Sequence, residues 1–448
     1  MKLQTAVKSV CPVCLKEISG VIQERDGLVF MLKECVEHGK FEKRLSDNAG
    51  MYFDARNFFT TLIKPDYKRN KKLLYVSEVC NLDCPICCFR PEENVVKGLS
   101  FEDIENLAKK DKSELILFAM EPSCRSDIFE IIAMLKKNKK SVPLYTNGLK
   151  IADMDFLKKL KASGVDKVVM QFDGFQDEIY KDLRGGDKLL STKLKALDNL
   201  RELGVPTIIN DTVMKGSNDR YMKDVFEYAV KNSFVSGAMF IGYTAYGKVV
   251  SPEKTLESEE LVSLLEKQTG GKISLRNVSI FQKLLYVYLN ILKDGICIHL
   301  KNYWVYRKNG DYIPVDAVMD MEKLDRFLNI YLDKFYKKNK KLSGIIYLAV
   351  SVLRSLKNYR LILLMVVDGL KIVLGHISKK AYYSKEANGF LQVNFSTACD
   401  PYRVDYDILD YCEMDLVYKR KEEGVRCQRQ CEALMDFWRK GSKGIMAV

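Results

Sequence analysis

Between residue 73 and about residue 247, short apolar runs alternate with longer amphipathic stretches. Runs of four to six residues read as strands, and windows with apolar positions every three or four residues read as helices. Strands are predicted at 73–76, 115–119, 142–146, 167–172, 207–212 and 238–243, with helices near 101–111, 126–138, 152–163, 191–203 and 219–232. Ser100 and Asp103 open the first helix as a capping box. Strands separated by helices imply right-handed βαβ crossovers and a parallel sheet. The fold class is therefore α/β. Six units rather than eight predict a partial (β/α)6 barrel over 70–250, with its site at the C-terminal strand ends.

On either side the pattern changes. Residues 1–62 carry Cys11-Pro-Val-Cys14 and, about twenty residues on, Cys35-x2-His38-Gly39, with a strand at 28–33 between them. This is the two-knuckle spacing of a tetrahedral metal ribbon, and so small a domain needs such a staple. Three thiolates and an imidazole suit zinc, and a mononuclear iron stays open. Chance spacing of buried thiols is the competing reading. Residues 251–395 read as helical, as at 279–293, and rich in Leu, Ile, Tyr and Lys. Their longest apolar runs, 342–353 and 361–367, fall short of the roughly 18–20 residues that span a bilayer. With Lys337, Lys338, Lys340, Lys341, Arg354, Lys357, Arg360, Lys371, Lys379 and Lys380 they form a basic, apolar region suited to an anionic membrane surface. A buried helical pair with solvated lysine ends is the blander reading. Residues 396–448 bring Cys399, Cys412, Cys427 and Cys431 together in sequence.

Composition narrows the chemistry. The chain has 448 residues, 47% hydrophobic, enough for two to three domains, and cannot be a disordered or fibrous chain. The net charge of +13 (72 Lys+Arg, 59 Asp+Glu) fits a lipid surface, RNA or a polyanionic metabolite, but no RNA-binding module is recognisable and no nucleic-acid partner is expected. Only His38, His299 and His376 are present, so sites built from several imidazoles have few places to sit. Thirteen cysteines without a signal peptide point to a reduced, cytoplasmic chain whose thiols bind metal, with peripheral contact on the inner membrane surface as a further expectation.

Directly after the first strand, Cys80-x3-Cys84-x2-Cys87 sets three thiolates on one loop, so that a [4Fe-4S] cube would gain three ligands and keep one iron open. The spacing resembles the signature of the radical S-adenosylmethionine (radical SAM) superfamily. That resemblance implies an enzyme in which the open iron chelates SAM and an electron from the cluster releases a 5'-deoxyadenosyl radical, the protein supplying position and dryness. Cys80, Cys84 and Cys87 are then the catalytic ligands. The segment 118–123 is similar to the family's GGEPT element, so Ala119, Met120 and Glu121 are expected to line the SAM methionine, with Ala119 and Met120 in place of glycines. Asn147 closes strand three, Gln171 and Asp173 close strand four, and Arg184 is placed to fork onto the SAM carboxylate. A turn or surface ion pair competes for each of these four.

A wider resemblance, to the archaeal tetraether lipid synthase group and its radical SAM pterin methylases, rests on the ribbon and on 171–175, 183–185, 212–219 and 266–271. It implies a C-terminal region holding auxiliary iron-sulfur ligands and chemistry at unactivated carbon. Cys399, Cys412, Cys427 and Cys431 are expected to bind an auxiliary [4Fe-4S] cluster, with Cys297 spare or an alternative ligand; Cys88 and Cys124 read as packing. The expected reaction is hydrogen abstraction followed by C–C bond formation or alkyl modification of a lipid. The alternatives are methylation of a pterin-like or other small molecule, and an iron-sulfur electron-transfer or redox-sensing protein. Partners follow: a small-molecule or lipid substrate, and a reductant such as ferredoxin or flavodoxin.

Overall fold

The first sheet is an antiparallel meander of β1 (Gln4–Val10), β2 (Glu17–Arg25), β3 (Leu28–Cys35) and β4 (Gly39–Ser46). Its alternation turns Val7, Ile22, Val29 and Met31 to one face, closed by the start of the helix Ala49–Leu62. This is a computed structural model, and it describes residues 3–441 except 66, 68, 90–95, 246–250, 378–388 and 421–423. Lys379 and Lys380 lie outside the described residues.

The second sheet begins with β5 (Lys71–Tyr75), the short β6 (Val96–Lys97), β7 (Glu114–Phe118), β8 (Pro143–Thr146), β9 (Lys167–Gln171), β10 (Thr207–Val213) and β11 (Val235–Gly242). The strands β5, β7, β8, β9, β10 and β11 are parallel neighbours in chain order, and each lies within three residues of its predicted limits. The helix Phe101–Lys110 carries the predicted capping box at Ser100. One helix escapes the pattern, Asp177–Arg184, a single short amphipathic segment ended by Gly185 at φ +69°.

The sheet is wider than six strands. β12 (Leu300–Lys308), β13 (Asp311–Pro314) and β14 (Gly389–Thr397) extend it beyond β11, and β15 (Met414–Arg420) and β16 (Gly424–Arg429) extend it beyond β5. β14 runs parallel to β11 and β15 parallel to β5, while the edges are antiparallel, so the result is a mixed, open barrel. The region 251–395 is helix-rich, with Ser258–Gln268, Leu275–Leu292, Met321–Ile330, Lys341–Ser355 and Tyr359–Ile377, yet it also supplies these strands. In β14 the pattern alternates residue by residue instead of forming a continuous apolar run, which hides it. In β14, Leu391, Val393 and Phe395 point outward into the core under the helices, while Gln392, Asn394 and Ser396 face the barrel interior.

Candidate active site and metal centres

The loop after β5 hangs over the C-terminal mouth of the barrel. Cys80, Cys84 and Cys87 line a cavity of about 460 Å³ together with Phe118, Ala119, Met120, Glu121, Asn147, Gln171 and Arg184. The loop is held by short-range bonds: Leu82 N–H reaches Cys80 Sγ at 3.4 Å, and Cys87 N–H reaches Cys84 O at 3.2 Å. Gly185 lies against it so closely that a Cβ there would sit 3.3 Å from Asp83 O and from Pro85. Burial pushes the Cys80 thiol up to about 11, so a positive centre is needed to draw out its thiolate. Three thiols opening on one cavity form a donor set that fits a cube with one free iron.

Glu121 lines the cavity as expected and also fastens two strand ends. Its Oε1 accepts Ser123 N–H at 3.0 Å and Thr146 Oγ1–H at 2.7 Å, and its Oε2 accepts Asn147 N–H at 2.7 Å. Both oxygens thereby help fasten the end of β7 to the end of β8, and the side chain is buried. Ala119 and Met120 keep the glycine-like backbone at φ +68° and +49°. Each L-residue held there costs on the order of 1 kcal/mol. Asn147 Nδ2 donates to Asn81 Oδ1 at 2.7 Å and approaches Cys80 Sγ at 3.8 Å, tying strand β8 to the thiol loop.

The Arg184 fork, expected to meet SAM, is closed on Asp173, with Nε to Oδ2 at 2.8 Å and Nη2 to Oδ1 at 2.7 Å. Asp173 also accepts from Thr212 N–H at 3.1 Å and from Gln171 Nε2. Two further residues join this cluster, Lys193, which carries no motif, and Asn218, which lies in the 212–219 segment. Lys193, on the buried face of the helix Leu189–Glu202, donates to Asn147 O at 2.8 Å and to Gln171 O and Oε1 at 3.0 and 2.6 Å, and burial pulls its pKa down to about 8. Asn218 bonds Asp211 Oδ1 at 2.9 Å, and Asp211 stays well above the usual carboxyl range because it is buried and Asp173 lies nearby. The one available signal was a lysine on the apolar stripe with Ala196, Leu197 and Leu200.

The C-terminal cysteines regroup. Cys297, Cys399, Cys412 and Cys431 line the same cavity as the first three thiols. Cys431 is hydrogen-bonded to both Cys399 and Cys412, and Cys297 is close enough for its charge to act on Cys412 and Cys431. Cys427 is the exception. It sits on β16 opposite Val417, exposed, beside Lys72 and Asp415. Lys71 points into the cavity and its neighbour Lys72 out of it, and Cys427 lies on the Lys72 side. Sequence proximity grouped Cys427 with the others, and the period of the strand separates it. Cys88 lies beside the first thiols in the cavity wall and is strongly desolvated, in keeping with packing.

In the ribbon, the ligand atoms of Cys11, Cys14, Cys35 and His38 all lie within 4.8 Å of one another. His38 Nδ1 is 3.4 Å from Cys35 Sγ and 3.7 Å from Cys11 Sγ, and this contact holds the Cys35 thiol below its usual range. Such spacing fits one tetrahedral ion.

Comparison with known proteins agrees with this layout. Residues 74–229 match the Radical SAM superfamily, and residues 4–47 match the HMPTM N-terminal zinc ribbon domain. The chain is 31% identical over 371 residues to a 7,8-dihydro-6-hydroxymethylpterin dimethyltransferase of Methanocaldococcus jannaschii, covering 73% of this chain and 72% of that protein. The chain belongs to the radical SAM superfamily. It is 28% identical over 231 residues to an AdoMet-dependent heme synthase of Methanosarcina barkeri, covering 50% of this chain and 66% of the relative. It is also 28% identical over 165 residues to a probable GTP 3',8-cyclase of Thermococcus kodakarensis, covering 36% and 53%. As a radical SAM enzyme it uses a [4Fe-4S] cluster and SAM, which sets aside the electron-transfer alternative.

Proposed function

We propose that this radical SAM enzyme methylates a flat, polar, pterin-like heterocycle, with Cys80, Cys84 and Cys87 holding the SAM cluster and Cys297, Cys399, Cys412 and Cys431 an auxiliary one. The observation that carries the substrate is a row of amides across the barrel, interrupted by one methionine. Gln171, Asn210, Met239, Asn394 and Asn302 are successive register partners from β9 through β10, β11 and β14 to β12, and all line the cavity. Gln392 Nε2 donates to Asn302 Oδ1 and Asn394 Oδ1, each at 3.2 Å, and Asn210 Oδ1 is buried without a hydrogen-bond partner. A buried amide left unpaired costs about 1–3 kcal/mol. A heterocycle edge that alternates N–H, C=O and exocyclic NH2 supplies the missing partners, whereas an alkyl chain would desolvate the whole row. Similarity to a pterin dimethyltransferase supports the same choice over lipid coupling.

When bound, the cluster and SAM supply a radical able to take hydrogen from an inert carbon. The chain's own residues hold the site in place: Glu121 and Asn147 fix the strand ends against the thiol loop, and Phe89, Phe118 and Tyr145, stacked edge to face at 4.9 and 5.1 Å, form a dry wall. A second reading, alkyl modification of a lipid, is favoured by one feature alone, the outward apolar faces of the helices Lys341–Ser355 and Tyr359–Ile377.

The test is reconstituted full-length protein with SAM, dithionite and 7,8-dihydro-6-hydroxymethylpterin deuterated at its carbon-bound positions. Pterin-stimulated 5'-deoxyadenosine carrying deuterium is expected. Cleavage of SAM that pterin leaves unlabelled and unstimulated, with label transferred from a deuterated lipid instead, would decide for the second reading.

A further inference from the structure

The helices Lys341–Ser355 and Tyr359–Ile377 each turn one side to the protein and expose an apolar stripe. In the first, Leu348 and the small residues Gly344, Ser351 and Ser355 face the protein, while Leu342, Ile345, Ile346, Val350 and Leu353 face outward. In the second, Met365 is buried and Tyr359, Leu363, Val366, Val367, Leu370 and Leu374 are exposed. The exposure is large: 75% at Leu342, 66% at Leu353 and 70% at Leu363. The i, i+3, i+4, i+7 recurrence makes each outward set a continuous stripe. An apolar face of this size on a monomer marks a surface that something covers.

Charge says what covers it. From 334 to 360 the chain has eight Lys and Arg (Lys334, Lys337, Lys338, Lys340, Lys341, Arg354, Lys357, Arg360) and no Asp or Glu. All eight are exposed, at the start of the first helix and at the turn into the second. No described helix is long and apolar enough to cross a membrane. A two-fold contact with a second copy would bring this basic set against itself. An anionic bilayer offers both what the apolar stripes need and what the basic ends need, and a helix with such a face lies in the interface plane.

We infer that these two helices form a docking surface for an anionic phospholipid bilayer, entering it to the depth of their outward side chains. The inference is independent of the substrate, since the surface lies on the outside of the helices and not in the barrel. The experiment is co-flotation of full-length protein with vesicles of phosphatidylcholine alone and with 30% phosphatidylglycerol. Binding at least tenfold stronger to the anionic vesicles, weakening as salt is raised, is expected. The variant Leu342→Glu/Ile346→Glu/Leu363→Glu should lose at least tenfold in binding and still produce 5'-deoxyadenosine at the parent rate without vesicles. A second variant, Lys337→Gln/Lys338→Gln/Lys340→Gln/Lys341→Gln, should lose the preference for anionic lipid and keep the fold. Absence of vesicle binding by the parent protein would overturn the inference. So would a parent dimer in sedimentation that the glutamate variant converts to monomer, which would assign the face to self-association.

Discussion

Replacing Arg184 by Met separates two accounts of the same side chain. Its guanidinium makes two charge-assisted bonds to Asp173 at 2.8 and 2.7 Å, and the two side chains are 10% and 0% exposed. With Arg184 gone, Asp173 keeps Thr212 N–H and Gln171 Nε2 as donors and Lys193 nearby but loses the counter-charge bonded to it, beside the buried Asp211. Breaking one side of such a pair costs about 3–5 kcal/mol, while replacing both sides by apolar groups of similar size is often close to neutral. Arg184→Met alone should therefore lose about 3–5 kcal/mol in urea unfolding of the apo protein, and the double variant with Asp173→Leu should recover about 2 kcal/mol or more. SAM affinity measured on the reconstituted protein supplies the contrast. If the fork serves SAM instead, the single variant should stay within about 1 kcal/mol of the parent and lose SAM binding tenfold or more. A loss of stability below about 1 kcal/mol would refute the buried pair as the fork's main partner.

Two further outcomes are expected. Asp211 holds its proton in the folded chain well above the pH at which an unfolded Asp, with a pKa of about 3.9, gives it up. The native state thus binds the extra proton, and stability falls by up to about 1.4 kcal/mol per pH unit from about pH 4 until the folded group titrates. Asp211→Asn should remove that slope in unfolding curves recorded between pH 5 and 8, and an unchanged slope would assign it elsewhere. In iron analysis of reconstituted protein, Cys297→Ser should lower the content by about four irons and Cys427→Ser should leave it unchanged. The reverse result would return Cys427 to the ligand set.

The strands of the barrel and the three-thiol loop were legible because their outward faces are apolar and the loop's spacing is rigidly tied to strand β5. The rest was hidden for specific reasons. β14 has the same apolar outward face but alternates it with Gln392, Asn394 and Ser396, so it lacks the short continuous apolar run by which β7 and β9 are read. Glu121 matched a motif, but its oxygens are taken by Ser123, Thr146 and Asn147, contacts that only the folded strand ends create. Cys427 and Cys431 are four apart in the chain, yet one lies outside the sheet and the other inside. The ribbon, by contrast, was readable because all four ligands sit in two tight turns of one meander.

The pairing of β15 with β5 sets an order of events during synthesis. Lys71–Leu74 find their parallel partners only at Met414–Val417. Until then the strand that bears the thiol loop is an uncovered sheet edge, with unpaired backbone amides and carbonyls facing solvent. Such a contact closes a loop of about 340 residues and forms late. The nascent protein is thus exposed to edge-to-edge association while everything between the two strands is translated, and the cavity that receives the cofactor has no wall on that side until Cys412 and Cys431 emerge.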